Sequence, residues 1–224
     1  AVLHHVHGLV VTTAGTVLAF SEARFGSAGD DDPHTIVCRR STDGGSTFST
    51  SAYVFGDQEA PTNMGNPTPV VDSTGAVHLV YAQNSTGNTS RVFVSTSTDD
   101  GVTFTNRQEL TGLFAGNPYQ WTFHLPGPGH GIRLSGGRLL VQVWHRLAKS
   151  TTGDKKYGVS VVFSDDHGNT WQAGGIAMVA DDEEHHAMAA YPVNESRLLE
   201  RTDGRVVVSG RYASGGAHSR ISAV

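Results

Sequence analysis

Residues 41–48 read "STDGGSTF", and the same form returns twice: "STDDGVTF" at 97–104 and "SDDHGNTW" at 164–171. All three obey S-x-D-x-G-x-T-[FW], and each follows an apolar stretch, "HTIVCRR", "SRVFVST" and "YGVSVVF". The Asp can accept backbone N–H bonds inside a tight turn. The Gly supplies a positive φ, and the Thr and the ring open the next strand with the ring packed under the turn. The motif is therefore a hairpin staple, and Asp43, Asp99 and Asp166 are assigned to structure rather than to catalysis.

The starts of the three boxes, at Ser41, Ser97 and Ser164, lie 56 and 67 residues apart. A strand-hairpin unit at that period points to a β-propeller, whose blades are four-stranded sheets. The 27 glycines and the scarcity of helix-period segments agree with an all-β chain. "SRISAV", residues 219–224, has the form of the strand ahead of each box. The spacing predicts a fourth box just past it, so the chain is expected to supply the first three to four blades. The remaining half would come from the same polypeptide or from a nicked second chain.

Composition narrows the function. With 21 acidic against 16 basic side chains, there is no electrostatic case for nucleic acid or an anionic membrane. One cysteine, Cys38, excludes an intrachain disulfide framework and sits in an apolar run as a buried thiol would. No stretch is long and apolar enough to span a bilayer. The N-terminus lacks the pattern of a signal peptide, so none exists or it has been removed.

Four further stretches carry chemistry: "GTVLAFSEAR" (15–24), "NPTPVVDSTGAVHLVY" (66–81), "PGPGHGIRLSGGRLLVQVWHR" (126–146) and "NESRLLERTDGRVVVSGR" (194–211). With the boxes, they make the chain resemble the sialidase (neuraminidase) superfamily, of the bacterial exo-sialidase type with Asp-box (BNR) repeats. The resemblance covers essentially the whole chain. It implies a six-bladed propeller with an axial site, an arginine triad for the substrate carboxylate, a Tyr/Glu nucleophile pair and an Asp general acid/base. A neutral phenol is a sensible nucleophile there, because a carboxylate would be repelled by the sugar's own charge.

Position by position, Glu195 matches the glutamate that activates the tyrosine, and Arg211, sixteen residues on, matches the second arginine. Alternation on both strands would aim both at the axis. Asp30, in the loop "FGSAGDDDPH", matches the general acid, and Asp31 or Asp32 would need a shift. Three adjacent carboxylates would raise one another's pKa, as an acid requires. Arg24, Met64, Asn66 and His130 are the remaining substrate-binding candidates. His5 stands where the family has the first triad arginine, and His7 stands at its proline. Histidine lacks the permanent charge and bidentate fork of arginine. The third arginine and the tyrosine are expected beyond residue 224.

The implied activity is that of an exo-acting, retaining glycoside hydrolase, secreted or extracellular. It would release a terminal α-linked 2-keto acidic sugar (sialic acid, Kdn or Kdo) from glycoconjugates and need no cofactor. Two alternatives stay open: histidine chemistry on a uronic-acid polysaccharide, and a non-catalytic glycan-binding propeller. Histidines 4, 5, 7, 124, 130, 145, 185 and 186 raise the question of a metal. No strong ligand spacing appears, and alternation places His4 and His7 on opposite strand faces. No metal is expected. Trp121 and Trp144 suit either sugar stacking or the core. Asn84 and Asn88 begin N-x-[ST] sequons.

Overall fold

The computed structural model describes residues 2–26, 29–30, 33–55, 63–85, 87–148, 157–179, 193–212 and 220–223. Asp31, Asp32, His185 and His186 lie outside these. Sixteen strands and one 3₁₀ turn, Thr111–Phe114, make up the described regular structure.

The strands form four antiparallel sheets in chain order. Sheet 1 holds β1 (Val2–Val11), β2 (Val17–Phe25), β3 (His34–Ser41) and β4 (Ala52–Tyr53). Sheet 2 holds β5 (Gly65–Val71), β6 (Val77–Gln83), β7 (Arg91–Ser97) and β8 (Thr105–Glu109). Sheet 3 holds β9 (Phe123–Pro126) and β10 (Ile132–Arg133), both paired with β11 (Leu139–Arg146), then β12 (Gly158–Ser164) and β13 (Gln172–Val179). Sheet 4 holds β14 (Val193–Glu200), β15 (Val206–Tyr212) and β16 (Arg220–Ala223). These are three propeller blades and three strands of a fourth, the architecture that the box repeat predicts.

Consecutive sheets pack face to face. Leu18, Phe20 and Ile36 of sheet 1 meet Val77, Leu79 and Tyr81 of sheet 2. Val70, Val80 and Val92 meet Leu139, Val141 and Trp171, and Leu140, Val159 and Met178 meet Val193, Leu198 and Val208. Burying each such side chain contributes roughly 1.5–3 kcal/mol, so the three seams carry the fold. Outer edges are blunted: β4 has two residues, and β8 is exposed along its length and polar.

The boxes fold as their chemistry dictates. In the first, Thr47 N–H and Ser41 Oγ–H donate to Asp43 Oδ1 at 2.9 and 2.7 Å, and Thr47 Oγ1–H donates to Oδ2 at 2.6 Å. Asp99 and Asp166 repeat the pattern with Ser97 and Thr103, and with Ser164 and Thr170. These donors hold Asp166 at a pKa of about 2, and at Asp99 they outweigh partial burial to give the same value. The second and third boxes also reach back to the preceding sheet. Asp100 accepts from Thr12 and Thr16 hydroxyls at 2.5 and 2.6 Å and pairs with Arg40 at 2.8 Å. His167 stands 3.4 Å from Ser73 Oγ and 3.7 Å from Asp72.

The first strands of the sheets do not alternate strictly, contrary to the expectation for β1 and β14. The register slips between His5 and Gly8, between Gly65 and Thr68, and between Val193 and Ser196. At each place two residues oppose one, a β-bulge, which re-aims side chains. Val6 and Asn66 sit in the left-handed region at φ 49° and 55°. For β-branched Val6 that conformation is strained. Sheet 3 interrupts its first strand instead, with the segment 127–131. Leu9 N–H donates to Gly129 O, Gly129 N–H to Pro67 O, and Ser196 N–H to Gly127 O, at 3.1, 3.4 and 3.2 Å. All four sheets therefore meet at this segment. Only glycine fits at position 8, where a Cβ would lie 2.7 Å from Pro67 O.

Candidate functional site

The bulges open onto one cavity of about 260 Å³ at the meeting of the four sheets. Sheet 1 gives it Val6, Glu22, Arg24 and His34, and the following loop gives Asp30. Sheet 2 gives Asn66 and Ser85, sheet 3 gives Phe123, Leu125, Trp144 and Arg146, and sheet 4 gives Glu195. Val6, Asn66 and Glu195 are bulge residues of three different first strands, so the same backbone irregularity supplies the wall three times.

The polar half is a network. Arg24 donates to Glu22 Oε2 through Nε at 3.0 Å and through Nη2 at 2.7 Å, and to Asp30 Oδ1 through Nη1 at 2.9 Å. Burial alone would lower the Arg24 pKa, but hydrogen bonds and charge from Glu22, then Asp30, outweigh it and raise it. Glu22 Oε1 accepts the Asn66 backbone N–H at 3.0 Å, and Asn66 Nδ2–H donates to Pro126 O at 2.9 Å. Ser85 Oγ–H donates to Asn63 O at 3.0 Å, which leaves its oxygen to accept from His34 Nε2 at 2.8 Å. The Glu22 side chain is 3% exposed and the Asp30 side chain 93%. Glu22 therefore fixes the arginine, while Asp30 meets the same buried guanidinium from the solvent side.

On sheet 4, Arg211 Nη1 donates to Glu195 Oε2 at 2.8 Å, with side chains 51% and 34% exposed. Arg211 lies outside the cavity wall and reaches it through Glu195. The apolar half sets Phe123 against Trp144 in a tilted contact, ring centroids 5.6 Å apart, and Arg146 covers the Phe123 ring at 3.6 Å.

Of the residues singled out in the sequence, Asp30, Glu195, Arg24 and Asn66 come together in this cavity. Met64 does not: it is 8% exposed and packs in the core with Leu18 and Tyr81. His5 is half-buried opposite Glu22, and its bulged neighbour Val6 takes the place in the wall. His130 donates through Nδ1 to Gly131 O at 3.0 Å, away from the cavity. His124 and His145 are buried in sheet 3 rather than at the axis, joined Nδ1 to Nδ1 at 2.8 Å, with His145 stacked on Trp121 at 4.7 Å. Trp121 is thus a packing residue, and Trp144 is the one at the cavity. Among the described residues no group of three or more His, Cys, Asp or Glu could hold a metal.

Glu22, His34, Phe123 and Arg146 escaped the sequence reading. A signal existed for Glu22: it lies two residues from Arg24 on the strand face that continues through Leu18 and Phe20, and a carboxylate on such a buried face needs a cation. Chemically, the cavity offers one exposed carboxylate and a second carboxylate in contact with an arginine. Polar anchors and an aromatic wall complete it.

Residues 15–224 match the family model described as a BNR repeat-like domain. Sialidase-4 of Homo sapiens is 35% identical over 188 residues, covering 75% of this chain and 39% of that protein. A sialidase of Micromonospora viridifaciens is 28% identical over 236 residues, covering 98% of this chain and 34% of that protein. Among solved structures, Hadza microbial sialidase Hz136 superposes with a TM-score of 0.79 at 24% identity, over 98% of this chain and 44% of its own. The chain thus spans well under half the length of these relatives.

Proposed function

Because the chain belongs to the BNR-repeat sialidase superfamily, we propose that it contributes the acid/base half of an exo-acting glycoside hydrolase site for a terminal α-linked 2-keto acidic sugar. The observation that carries this reading is the axial cavity in which Asp30 and Glu195, from sheets far apart in sequence, face one space. Asp30, released from its exposed contact with Arg24, protonates the glycosidic oxygen as the bond to the anomeric carbon breaks. A tyrosine oxygen from a later blade attacks that carbon, and Glu195 takes the phenolic proton. Water then displaces the tyrosine, giving a proton to Asp30 while Glu195 returns its proton to the departing phenolic oxygen, so both carboxylates are reset and two inversions give retention. Arg24 and Asn66 hold ring substituents, and Phe123, Leu125 and Trp144 take the sugar's apolar face.

For the alternative of histidine chemistry on a uronic-acid polysaccharide, His5 does not line the cavity, and His34, which does, is bonded to Ser85 Oγ. Leu9 and Val11 are 54% and 58% exposed on a face that no described sheet covers. In a closed propeller a last blade would pack there.

The test uses the full-length protein with fluorogenic α-ketosides of sialic acid, Kdn and Kdo. At least one should be cleaved, with the α-anomer appearing first by NMR, and Glu195→Gln should lower kcat by roughly 10²–10⁴. Binding without cleavage of any of the three would establish the glycan-binding module instead.

A further inference from the structure

The repeat makes the seams between sheets comparable, and the second seam differs from the first. In sheet 1, Arg40 stands across from Leu18, and in sheet 2, Thr96 stands across from His78. The glycine of the next box packs on the partner in both, Gly101 on Leu18 and Gly168 on His78. Between sheets 1 and 2 the Arg40 side chain fills the space beside that contact. It donates through Nε to Asp100 O at 3.0 Å and through Nη2 to Asp100 Oδ2 at 2.8 Å. Between sheets 2 and 3 the shorter Thr96 reaches only His78, 3.0 Å away. A cleft of about 590 Å³ opens there, larger than the axial cavity.

The cleft is separate from that cavity. His78 lines the cleft, and Ser85, seven positions on, lines the cavity. At about 3.3 Å per residue along β6 and its continuation, roughly 23 Å lies between them. A bulge builds the outer wall: Thr105 faces Thr96 and Gln108 faces Val94, so β8 has one residue in excess. Asn106 there is left-handed, at φ 52°, and lines the cleft with Gln108, while Arg107 lies over the Phe93 ring at 3.9 Å. Among the described residues, the amides of Asn106 and Gln108 and the hydroxyl of Thr98 have no hydrogen-bond partner. Asn169, on the box of sheet 3, donates its Nδ2–H to Asp166 O at 2.6 Å, which leaves its oxygen to accept.

Charge selects against an acidic ligand. Among the described residues no lysine or arginine lines the cleft. Its one carboxylate, Asp72, is buried and already accepts the Thr74 N–H and Oγ–H at 2.8 and 2.7 Å and the Ala76 N–H at 3.0 Å. A ligand here meets hydroxyls and carboxamides, each both donor and acceptor, with Ala76 and Val94 supplying apolar contact. That lining is complementary to the vicinal hydroxyls and C–H faces of an uncharged sugar ring.

We propose that this cleft is a second carbohydrate site, one that takes an uncharged pyranose of a glycan chain. It goes beyond the acidic-sugar reading of the axial cavity and does not depend on it. On a multivalent glycoconjugate, such a site would raise the effective concentration of neighbouring chain ends at the cavity.

Saturation-transfer NMR on the full-length protein tests this, with lactose, sialic acid and glycerol as probes. Wild type should give a titratable lactose signal. Asn106→Ala/Gln108→Ala removes two exposed amides and should weaken lactose roughly five- to a hundredfold. Thr96→Arg, which puts the arginine of the first seam into the second, should abolish the signal. Trp144→Ala, in the axial cavity, should leave it unchanged, and the double alanine variant should bind sialic acid as wild type does. No lactose signal from wild type, an equal signal from glycerol, or a loss with Trp144→Ala but not with the cleft variants overturns the proposal. So does an equal loss of sialic acid and lactose in the double alanine variant. If Thr96→Arg does not fold, the double alanine variant decides, and unchanged lactose affinity overturns the site. Lactose bound through Asn106 and Gln108, with no α-ketoside cleaved, would sink the hydrolase reading and leave this site standing. Cleavage without lactose binding would do the reverse.

Discussion

Acidification from pH 7.5 to 5.0 should cost this fold about 2 kcal/mol through His124 alone, with its partner His145 acting in the same direction. His124 and His145 are buried among Phe114, Trp121 and Ser160, share a hydrogen bond of 2.8 Å, and have no carboxylate against them among the described residues. Burial pushes the His124 pKa down to about 4 and, with the charge of His124 added, holds His145 well below the ordinary value. An unfolded imidazole titrates near ~6.5. The pair therefore contributes stability that is full above that pH and is lost as pH falls toward the folded values, because the unfolded chain binds the protons. Integrating between the two pH values gives about 2 kcal/mol for His124, and His145 adds to it in the same direction. The carboxylates held at about 2, Asp99, Asp166 and Glu109, are still ionised in both states across this window and do not confuse it. His78, buried beside Asp72, acts in the same direction, so a control is needed. Urea denaturation should show the wild-type midpoint falling by roughly 1–2 M between the two pH values. The double variant His124→Asn/His145→Asn, whose amides can replace the Nδ1 contact, should start less stable and lose at least about 2 kcal/mol less. Equal losses in the two proteins would refute the assignment.

Other outcomes follow from single contacts. Asp30→Asn should depress kcat far more on an alkyl glycoside, whose leaving oxygen needs a proton, than on an aryl one; a loss equal on both would remove Asp30 from the acid's role. Gly101→Ala should cost about 2–4 kcal/mol in a denaturation experiment. A Cβ there would lie 2.5 Å from Leu18 Cδ1, and the φ is +78°. Cys38, buried in the seam between sheets 1 and 2 with its pKa raised by burial to about 12, should resist thiol reagents at pH 8 until urea opens the fold. Rapid labelling of the native protein would contradict that burial.

The blades were legible because the box is local: Ser, Asp, Gly and Thr within eight residues close their own turn, so the motif carries its own geometry. Asp30, Arg24, Asn66 and Glu195 were found because the stretches around them are distinctive as strings. The bulges were not visible. Nothing in "HHVHG" or "GNPTP" distinguishes a left-handed Val6 or Asn66 from an alternating strand, since the cause is the backbone of Gly129 and Pro67 meeting at the hub. The ungapped match to the family's first arginine led to His5, and the slip of register gave the wall to Val6. Met64 was misplaced for a related reason: two residues before a bulge, it turns into the seam while Asn66 turns to the cavity. The His124–His145 contact depends on those residues being direct partners across β9 and β11, which no period reveals.

The backward reach of the boxes gives the fold a direction in time. Thr12 waits for Asp100, 88 positions later, and Ser73 waits for His167, 94 positions later. At cellular elongation rates of about 5–20 residues per second, each first hairpin spends roughly 4–19 s outside the ribosome before its fastening is made. During that interval one whole face of the newest sheet is bare. Wedge-by-wedge completion in the order of translation follows, each blade being sealed by its successor. A substitution at Asp100 would therefore show its largest effect in the yield of protein made at speed, and a smaller one in the stability of the molecules that finish.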